Sequence, residues 1–166
     1  MNTLLETNQI QLPQPVAIAP QRIHPGALPG YVQLKVANLA NQIQFYQRLL
    51  GLQVNWQAAT QAGLGANGRD LLRLTQLEHG RRYARVTGLY HFAILYPDRR
   101  ELARAVARLF AQGWPNSPTD HVMTKTTYLD DPEGNTIELY CESPEDGIFM
   151  ADAAGNFIAR RLDGCP

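Results

Sequence analysis

One carboxylate stands inside an apolar run near the end of the chain, and its position suggests chemistry. Glu138 lies between Ile137 and Leu139 in the segment TYLDDPEGNTIELYCE, which begins at Thr127. Because successive residues of a strand face opposite sides of a sheet, the two apolar neighbours would be buried and Glu138 would face the other side. A buried carboxylate is costly unless a cation, a metal ion or hydrogen-bond donors accompany it. Its partner must come from another element of the fold.

The same alternation places other polar side chains on that side of the sheet. Burial of the valines and leucines in YVQLKV turns its polar residues the other way, and the runs LYHFAIL, LLRLTQL and TIELYCE behave alike. The polar residues predicted to share the inward face with Glu138 are Gln33, Lys35, Arg73, His91 and Tyr140. Superposing the two halves of the chain pairs Gln33 with His91, and Arg73 with Glu138.

The elements that must position these side chains occur twice. In the first copy, the strand YVQLKV precedes a helix over 39–50, capped by Asn38, which is followed by LQVNW, a glycine-rich hairpin region and a strand over 71–77. The second copy has LYHFAIL, a helix that begins after Asp98, a loop, and the strands VMTKTTYL and TIELYCE around the turn DDPEGN. Each unit reads βαβββ. We therefore predict an α+β fold of paired βαβββ modules that form a curved mixed sheet, a half-barrel with helices outside.

This repeat divides the chain into four segments. We expect an extended N-terminal arm over 1–28, a first module over 29–87, a second module over 88–142 and a C-terminal tail over 143–166. The arm is rich in glutamine and proline, and its prolines forbid a regular helix. The tail is rich in turn residues, and a short hairpin around 154–156 is one interpretation of its pattern.

Composition excludes several classes of partner. The 166 residues carry 15 Lys and Arg against 15 Asp and Glu, so the formal net charge is zero and nothing favours binding to nucleic acid or to a membrane surface. No apolar run approaches the ~20 residues of a membrane span. The two cysteines, Cys141 and Cys165, have no metal or disulfide spacing, which predicts a reducing cytoplasm.

At this level of pattern the chain resembles the vicinal oxygen chelate superfamily, which includes glyoxalase I, bleomycin-resistance proteins and extradiol dioxygenases. The resemblance is carried by GYVQLKVANLANQIQFYQRLLGLQV, GLYHFAILYPDRRELARAVARL and YLDDPEGNTIELY, and it covers roughly residues 22–145. IHPGALPGYVQLKV and GLYHFAILYPDRREL are most similar to the N-terminal half of bacterial catechol-type extradiol dioxygenases.

The resemblance implies a mononuclear metal site on the inward face. The dioxygenase pattern takes a His from the first strand of each module and a Glu from the last strand of the second, and these positions hold Gln33, His91 and Glu138. Such a set would bind a divalent metal, Fe(II) or Mn(II), and leave open positions for a catecholate and O₂. Gln33 departs from the dioxygenase His, although some glyoxalases use Gln there. Glyoxalases need a fourth ligand where this chain has Arg73, a cation that cannot bind metal.

Two further residues gain catalytic roles from the same resemblance. The dioxygenases carry a Tyr facing the metal in the strand before the Glu, and Tyr128 lies ten residues before Glu138. They use a His as the acid–base group, for which His121 is the candidate, with a spacing to Tyr128 that differs from better-known enzymes. Tyr140, Arg73 and Lys35 are candidates for binding substrate.

These residues support more than one function. The first is a metal-dependent dioxygenase-like enzyme, or a related lyase or isomerase, that acts on a small catechol-type or other vicinal-oxygen compound. The second is a metal-free protein that binds or sequesters a small molecule, in which Arg73 and Lys35 replace the metal and the guanidinium pairs with Glu138. A third is a degenerate half-enzyme that acts as a dimer scaffold. The resemblance also implies a homodimer, with modules paired within or between chains.

Overall fold

Two modules, each with one helix and four strands, account for most of the computed structural model, which describes residues 22–81 and 88–162. The first module contains β1 (Val32–Val36), α1 (Leu39–Phe45), β2 (Gln53–Gln57), β3 (Gln61–Ala66) and β4 (Arg69–Gln76). Helix α1 continues as a π-helical turn over Tyr46–Leu50. The sheet has the order β1-β4-β3-β2, with β1 parallel to β4 and the other pairs antiparallel.

The second module repeats this plan. Its elements are β5 (Phe92–Leu95), α2 (Arg99–Ala111), β6 (Ser117–Asp120), β7 (Thr124–Asp130) and β8 (Thr136–Glu142). They form a sheet of order β5-β8-β7-β6 with the same directions. The sequence pattern predicted a loop where β6 lies, because of Pro115 and Pro118. Pro118 is tolerated because β6 is the edge strand and one of its sides needs no hydrogen bonds.

Local signals in the sequence explain where the elements begin and turn. The side chain of Asn38 accepts a hydrogen bond from the backbone N–H of Asn41 at the start of α1. Asp98 does the same for Glu101 at the start of α2. Between β3 and β4, Asn67 and Gly68 both have positive φ, 51° and 72°, as a two-residue hairpin turn requires.

The helices cover one face of the sheets, and the other faces carry polar residues. Leucines, valines and isoleucines from both modules form one buried cluster between helices and strands. In β8 the buried residues are Ile137, Leu139 and Cys141, while Glu138 and Tyr140 lie on the opposite face, as the alternation predicted. The α+β fold of paired modules is confirmed. The eight module strands form two four-stranded sheets rather than one continuous hydrogen-bonded sheet.

The turn DDPEGN between β7 and β8 joins the two modules. Asp131 is buried, accepts hydrogen bonds from its own turn, and accepts one from the hydroxyl of Tyr46 at 3.0 Å. The carboxylate of Glu133 accepts from the backbone N–H groups of Ala37 (2.8 and 2.9 Å) and Asn38 (2.9 Å), just before α1. A charge-assisted cap of this kind satisfies donors at a helix start. The motif therefore fixes the second module against the first.

The two ends of the chain differ in structure. Residues 143–162 contain a hairpin of β9 (Gly147–Ala151) and β10 (Phe157–Arg161), which agrees with the interpretation of a hairpin around 154–156. Of the expected N-terminal arm, residues 22–28 are exposed and the others lie outside the described residues, as does Cys165. Cys141 is buried and unpaired. Within the described ranges, no helix is long and apolar enough to cross a membrane.

Candidate active site in the second module

The neighbour of Glu138 is His91, which precedes β5. The Nε2 atom of His91 lies 3.2 Å from Oε2 of Glu138, and the two side chains are 29% and 16% exposed. Strand β5 runs parallel to β8 with Phe92 opposite Ile137, so His91 comes beside the first residues of β8 and on the open face of the sheet. The imidazole and the carboxylate thus meet in one place, as the sequence predicted.

Tyr128 supplies a second partner for the same carboxylate. It lies directly opposite Glu138 in the β7–β8 pair, and its hydroxyl donates to Oε1 of Glu138 at 2.8 Å. The hydroxyl of Thr126 lies 3.1 Å from the same oxygen. Burial and the adjacent carboxylate raise the pKa of Tyr128 above its usual value. The phenol therefore keeps its proton and acts as a donor.

His121 extends this chain of contacts towards solvent. Its Nε2 atom lies 3.2 Å from the hydroxyl oxygen of Tyr128. A phenol has one proton, and that of Tyr128 is directed to Glu138, so the imidazole nitrogen must be the donor to the phenol oxygen. The result is a directed chain from His121 through Tyr128 to Glu138. The rings of His91 and Tyr128 are also in edge contact, with centroids 5.8 Å apart.

Two cavities open beside these residues. One of about 310 Å³ is lined by Tyr90, His91, Tyr128 and Thr136. A larger groove of about 630 Å³ runs past Trp114 and Pro132 and shares Tyr128 and Thr136 with the first. Together they are large enough for a small ligand to reach the imidazole and the phenol.

The residues expected from the first module lie elsewhere. Nε2 of Gln33 donates to the hydroxyl of Thr75 at 3.1 Å, and Lys35 is an exposed residue of β1. Nε of Arg73 lies 2.7 Å from a carboxylate oxygen of Asp70, and its guanidinium lies over the ring of Tyr31 at 3.8 Å. The predicted ion pair between Arg73 and Glu138 is not among the contacts of the described residues. Each of these charges has a different partner.

Asp70, and not Glu138, is the carboxylate that pairs with Arg73. It accepts hydrogen bonds from the side chains of Asn55 and Trp56 as well as from Arg73. These three donors, with Asn55 the largest contributor, lower the pKa of Asp70 to about 2. A cavity of about 400 Å³ lined by Tyr31, Trp56 and Arg73 adjoins this group. The first module therefore has its own polar cluster, separate from His91 and Glu138.

The strand registers correct the superposition of the two modules. Gln33 lies opposite Arg73 in the first sheet, and Ala93 lies opposite Glu138 in the second. If Arg73 corresponds to Glu138, then Gln33 corresponds to Ala93, and the position of His91 is taken by Tyr31. The helix caps agree, because Asn38 follows Tyr31 and Asp98 follows His91 by the same seven residues. Pairing Gln33 with His91 was wrong, and the ligand role predicted for Gln33 depended on that pairing.

Tyr140 faces the same side of the sheet as Glu138. It is half-buried in β8, opposite Thr126 of β7 and Leu95 of β5. Its predicted contact with substrate stays a prediction.

Sequence reasoning missed a group of charged residues beside His121. Asp120, Lys125, Asp146 and Arg161 form a network of ion pairs between β6, β7 and the C-terminal hairpin. No short motif contains these four residues, and only the return of the tail to β6 brings them together.

Comparison with known proteins identifies the class. A sequence model of the Glyoxalase/Bleomycin resistance protein/Dioxygenase superfamily matches residues 29–139. The chain belongs to this superfamily. It is 38% identical over 139 residues to the catechol-2,3-dioxygenase of Bacillus subtilis (strain 168), a match that covers 82% of this chain and 48% of that protein. The chain thus spans about half the length of this relative.

Solved structures agree on the fold. The glyoxalase/bleomycin resistance protein/dioxygenase domain from Frankia sp. EAN1pec superposes with a TM-score of 0.60 at 17% identity, covering 70% of this chain and 99% of that one. The lactoylglutathione lyase from Agrobacterium tumefaciens superposes with a TM-score of 0.58 at 20% identity, covering 71% and 96%. At these identities the likeness shows a common fold and no common reaction.

Proposed function

We propose that this chain is a metal-dependent, dioxygenase-like enzyme that acts on a small catechol-type or other vicinal-oxygen compound in the second module. The observation that carries the proposal is the meeting of His91, Glu138 and Tyr128 beside a cavity, with His121 behind them. The named relative adds support for a catechol-type substrate.

Two donor atoms of this site fit a divalent metal. Ligand atoms bound about 2.1 Å from one ion and at right angles lie about 3 Å apart, close to the 3.2 Å between His91 Nε2 and Glu138 Oε2. Imidazole and carboxylate are ligands typical of Fe(II) and Mn(II). The described residues provide no cluster of three His, Cys, Asp or Glu side chains, so a third ligand would be an amide, a phenol or the substrate itself. A bound metal would lower the pKa of the substrate hydroxyl and hold the reactants together.

The protein residues have separate tasks in this proposal. Tyr128 remains protonated and donates to Glu138, which orients the carboxylate towards His91. His121, on the exposed side of Tyr128, is placed to exchange a proton with bound substrate and with water. Tyr90 and Thr136 border the space that the substrate ring would fill, with Tyr140 on the same sheet face.

A metal-free binding protein is the second candidate, and the satisfied state of Glu138 favours it. Tyr128 donates to one of its oxygens and Nε2 of His91 lies 3.2 Å from the other, so the carboxylate has no need of an ion. The candidate anion clamp would be Arg73 with Lys35 in the first module, at a distance from this carboxylate rather than paired with it.

Metal analysis of the chain purified without chelator separates the two candidates. About one Fe, Mn, Zn or Ni per chain, lost in His91→Ala and kept in His79→Ala, supports the enzyme. His79 is the matched control because its side chain is exposed and, within the described part of the chain, its ion-pair partner is Glu78. Anaerobic loading with Fe(II), followed by oxygen and a screen of catechols, then tests for coloured ring-cleavage products. Full metal content in His91→Ala would contradict the assignment.

We propose module limits of 29–87 and 88–142, a homodimer and a cytoplasmic location. Size-exclusion chromatography with light scattering tests the dimer.

A further inference from the structure

The turn that carries His121 is strained. Val122 follows it with φ of +70°, and among the described residues with positive φ it is the β-branched one. Branching at Cβ makes this backbone conformation unfavourable, so the surrounding structure must hold it in place. His121 and Val122 connect β6 to β7 at the open face of the second sheet.

Asp120 is the centre of the contacts that hold this turn. One of its oxygens accepts the backbone N–H of Val122 at 2.8 Å and an N–H of Lys125 Nζ at 2.7 Å. Lys125 also donates to the backbone carbonyl of Val122 at 3.2 Å. The backbone N–H of Val122 is thus bound by the Asp120 carboxylate, and its backbone carbonyl is bound by the Lys125 ammonium, which itself pairs with Asp120.

The C-terminal hairpin closes the same network from outside the module. The guanidinium of Arg161 lies 2.5 Å from the second oxygen of Asp120, and Lys125 lies 2.6 Å from Asp146. The backbone of Gly147 passes so near that a Cβ there would lie 2.3 Å from a methyl carbon of Val122. The backbone of the hairpin therefore packs closely against the side chain of Val122, and this approach requires glycine at position 147.

The conformation of this turn determines the orientation of the His121 imidazole. The backbone N–H of His121 donates to the carbonyl of Thr124 at 3.0 Å, which fixes the backbone of this residue in the turn. Its side chain then lies with Nε2 3.2 Å from the hydroxyl oxygen of Tyr128. We propose that Asp120 is a positioning residue for His121, and that with Lys125 and Arg161 it holds the strained turn that directs the imidazole to Tyr128. This inference rests on the proposed function, in which His121 moves a proton beside Tyr128.

The test measures the contact itself, in the full chain and without metal or substrate. Nuclear Overhauser effects between the ring protons of His121 and Tyr128 report their proximity. Asp120→Ala should abolish these cross-peaks while far-ultraviolet circular dichroism stays unchanged. The matched control is Asp152→Ala, which removes a carboxylate that caps the turn of the C-terminal hairpin through the N–H groups of Ala154 and Asn156. The control should keep the cross-peaks.

A second substitution separates a released turn from general loss of structure. Glycine accepts positive φ, so Val122→Gly added to Asp120→Ala should restore the cross-peaks at least in part. Unchanged cross-peaks in Asp120→Ala, equal loss in Asp152→Ala, or no recovery in the double variant would each overturn the proposal. Since no metal or turnover is measured, a failure here is distinct from a failure of the proposed enzyme.

Discussion

The contact between Tyr46 and Asp131 gives the sharpest test of how the modules are joined. Tyr46→Phe keeps the ring and its packing, and removes only the hydroxyl that donates to Asp131 at 3.0 Å. Both side chains are buried. A hydrogen bond to a charged group contributes about 1.5–3 kcal/mol. Without it, Oδ2 of Asp131 keeps the hydrogen bond from Asn135 as its remaining one among the described residues. We expect the free energy of unfolding to fall by about 2 kcal/mol.

Urea or thermal unfolding measures this loss. For a chain of this size, 1 kcal/mol corresponds to about 2–4 °C in Tm, so Tm should fall by roughly 4–8 °C. Tyr90→Phe is the control, because Tyr90 is 87% exposed and should change stability by less than about 0.5 kcal/mol. A loss in Tyr46→Phe no larger than in Tyr90→Phe would refute the reasoning that this bond ties the modules together.

Three further outcomes follow from the geometry. Gln33→Ala should leave metal content unchanged, because the strand registers make Tyr31, and not Gln33, the equivalent of His91. A loss of metal in this variant would show that Gln33 is a ligand. Asp70→Asn should weaken the acid dependence of stability: its pKa is lowered to about 2, so its contribution is present above about pH 4 and is lost as pH falls towards 2. Urea titrations at pH 2.5 and 6 measure the free energy of unfolding of both proteins. An equal change in this free energy between the two pH values in both proteins would contradict the prediction. Glu133→Gln should destabilise the chain by about 1 kcal/mol through the weaker cap of α1, whereas the exposed Glu142→Gln should not; urea midpoints decide, and equal values would refute the cap.

Much of the fold could be predicted because its signals are local. Alternation of apolar and polar residues assigned Glu138 and Tyr140 to one face of β8, and Ile137 and Leu139 to the other. The caps at Asn38 and Asp98 placed both helices, and the turn residues placed the hairpins. Strand β6 was missed because a proline argues against a strand and only the position at an edge removes the objection.

The partners of the first module could not be predicted for a specific reason. Asp70 and Arg73 are three residues apart, so in a regular strand they face opposite sides of the sheet. The register between β3 and β4 shifts after Leu64, where Gly65 pairs with Asp70 instead of Leu71. This bulge restores Asp70 to the side of Arg73 and allows their ion pair. The alternation of residues along β4 does not indicate the extra residue at this bulge.

The sequence by itself determined the two-module plan and the opposite faces on which Glu138 and its apolar neighbours lie in β8. Those properties depend on periods of 2 and 3.6 residues, which can be read along the chain. The tertiary structure decided the partner of Arg73, the correspondence between the modules and the strained turn at Val122. These depend on register and on contacts between distant segments, where a shift of one residue reverses which side chains can meet.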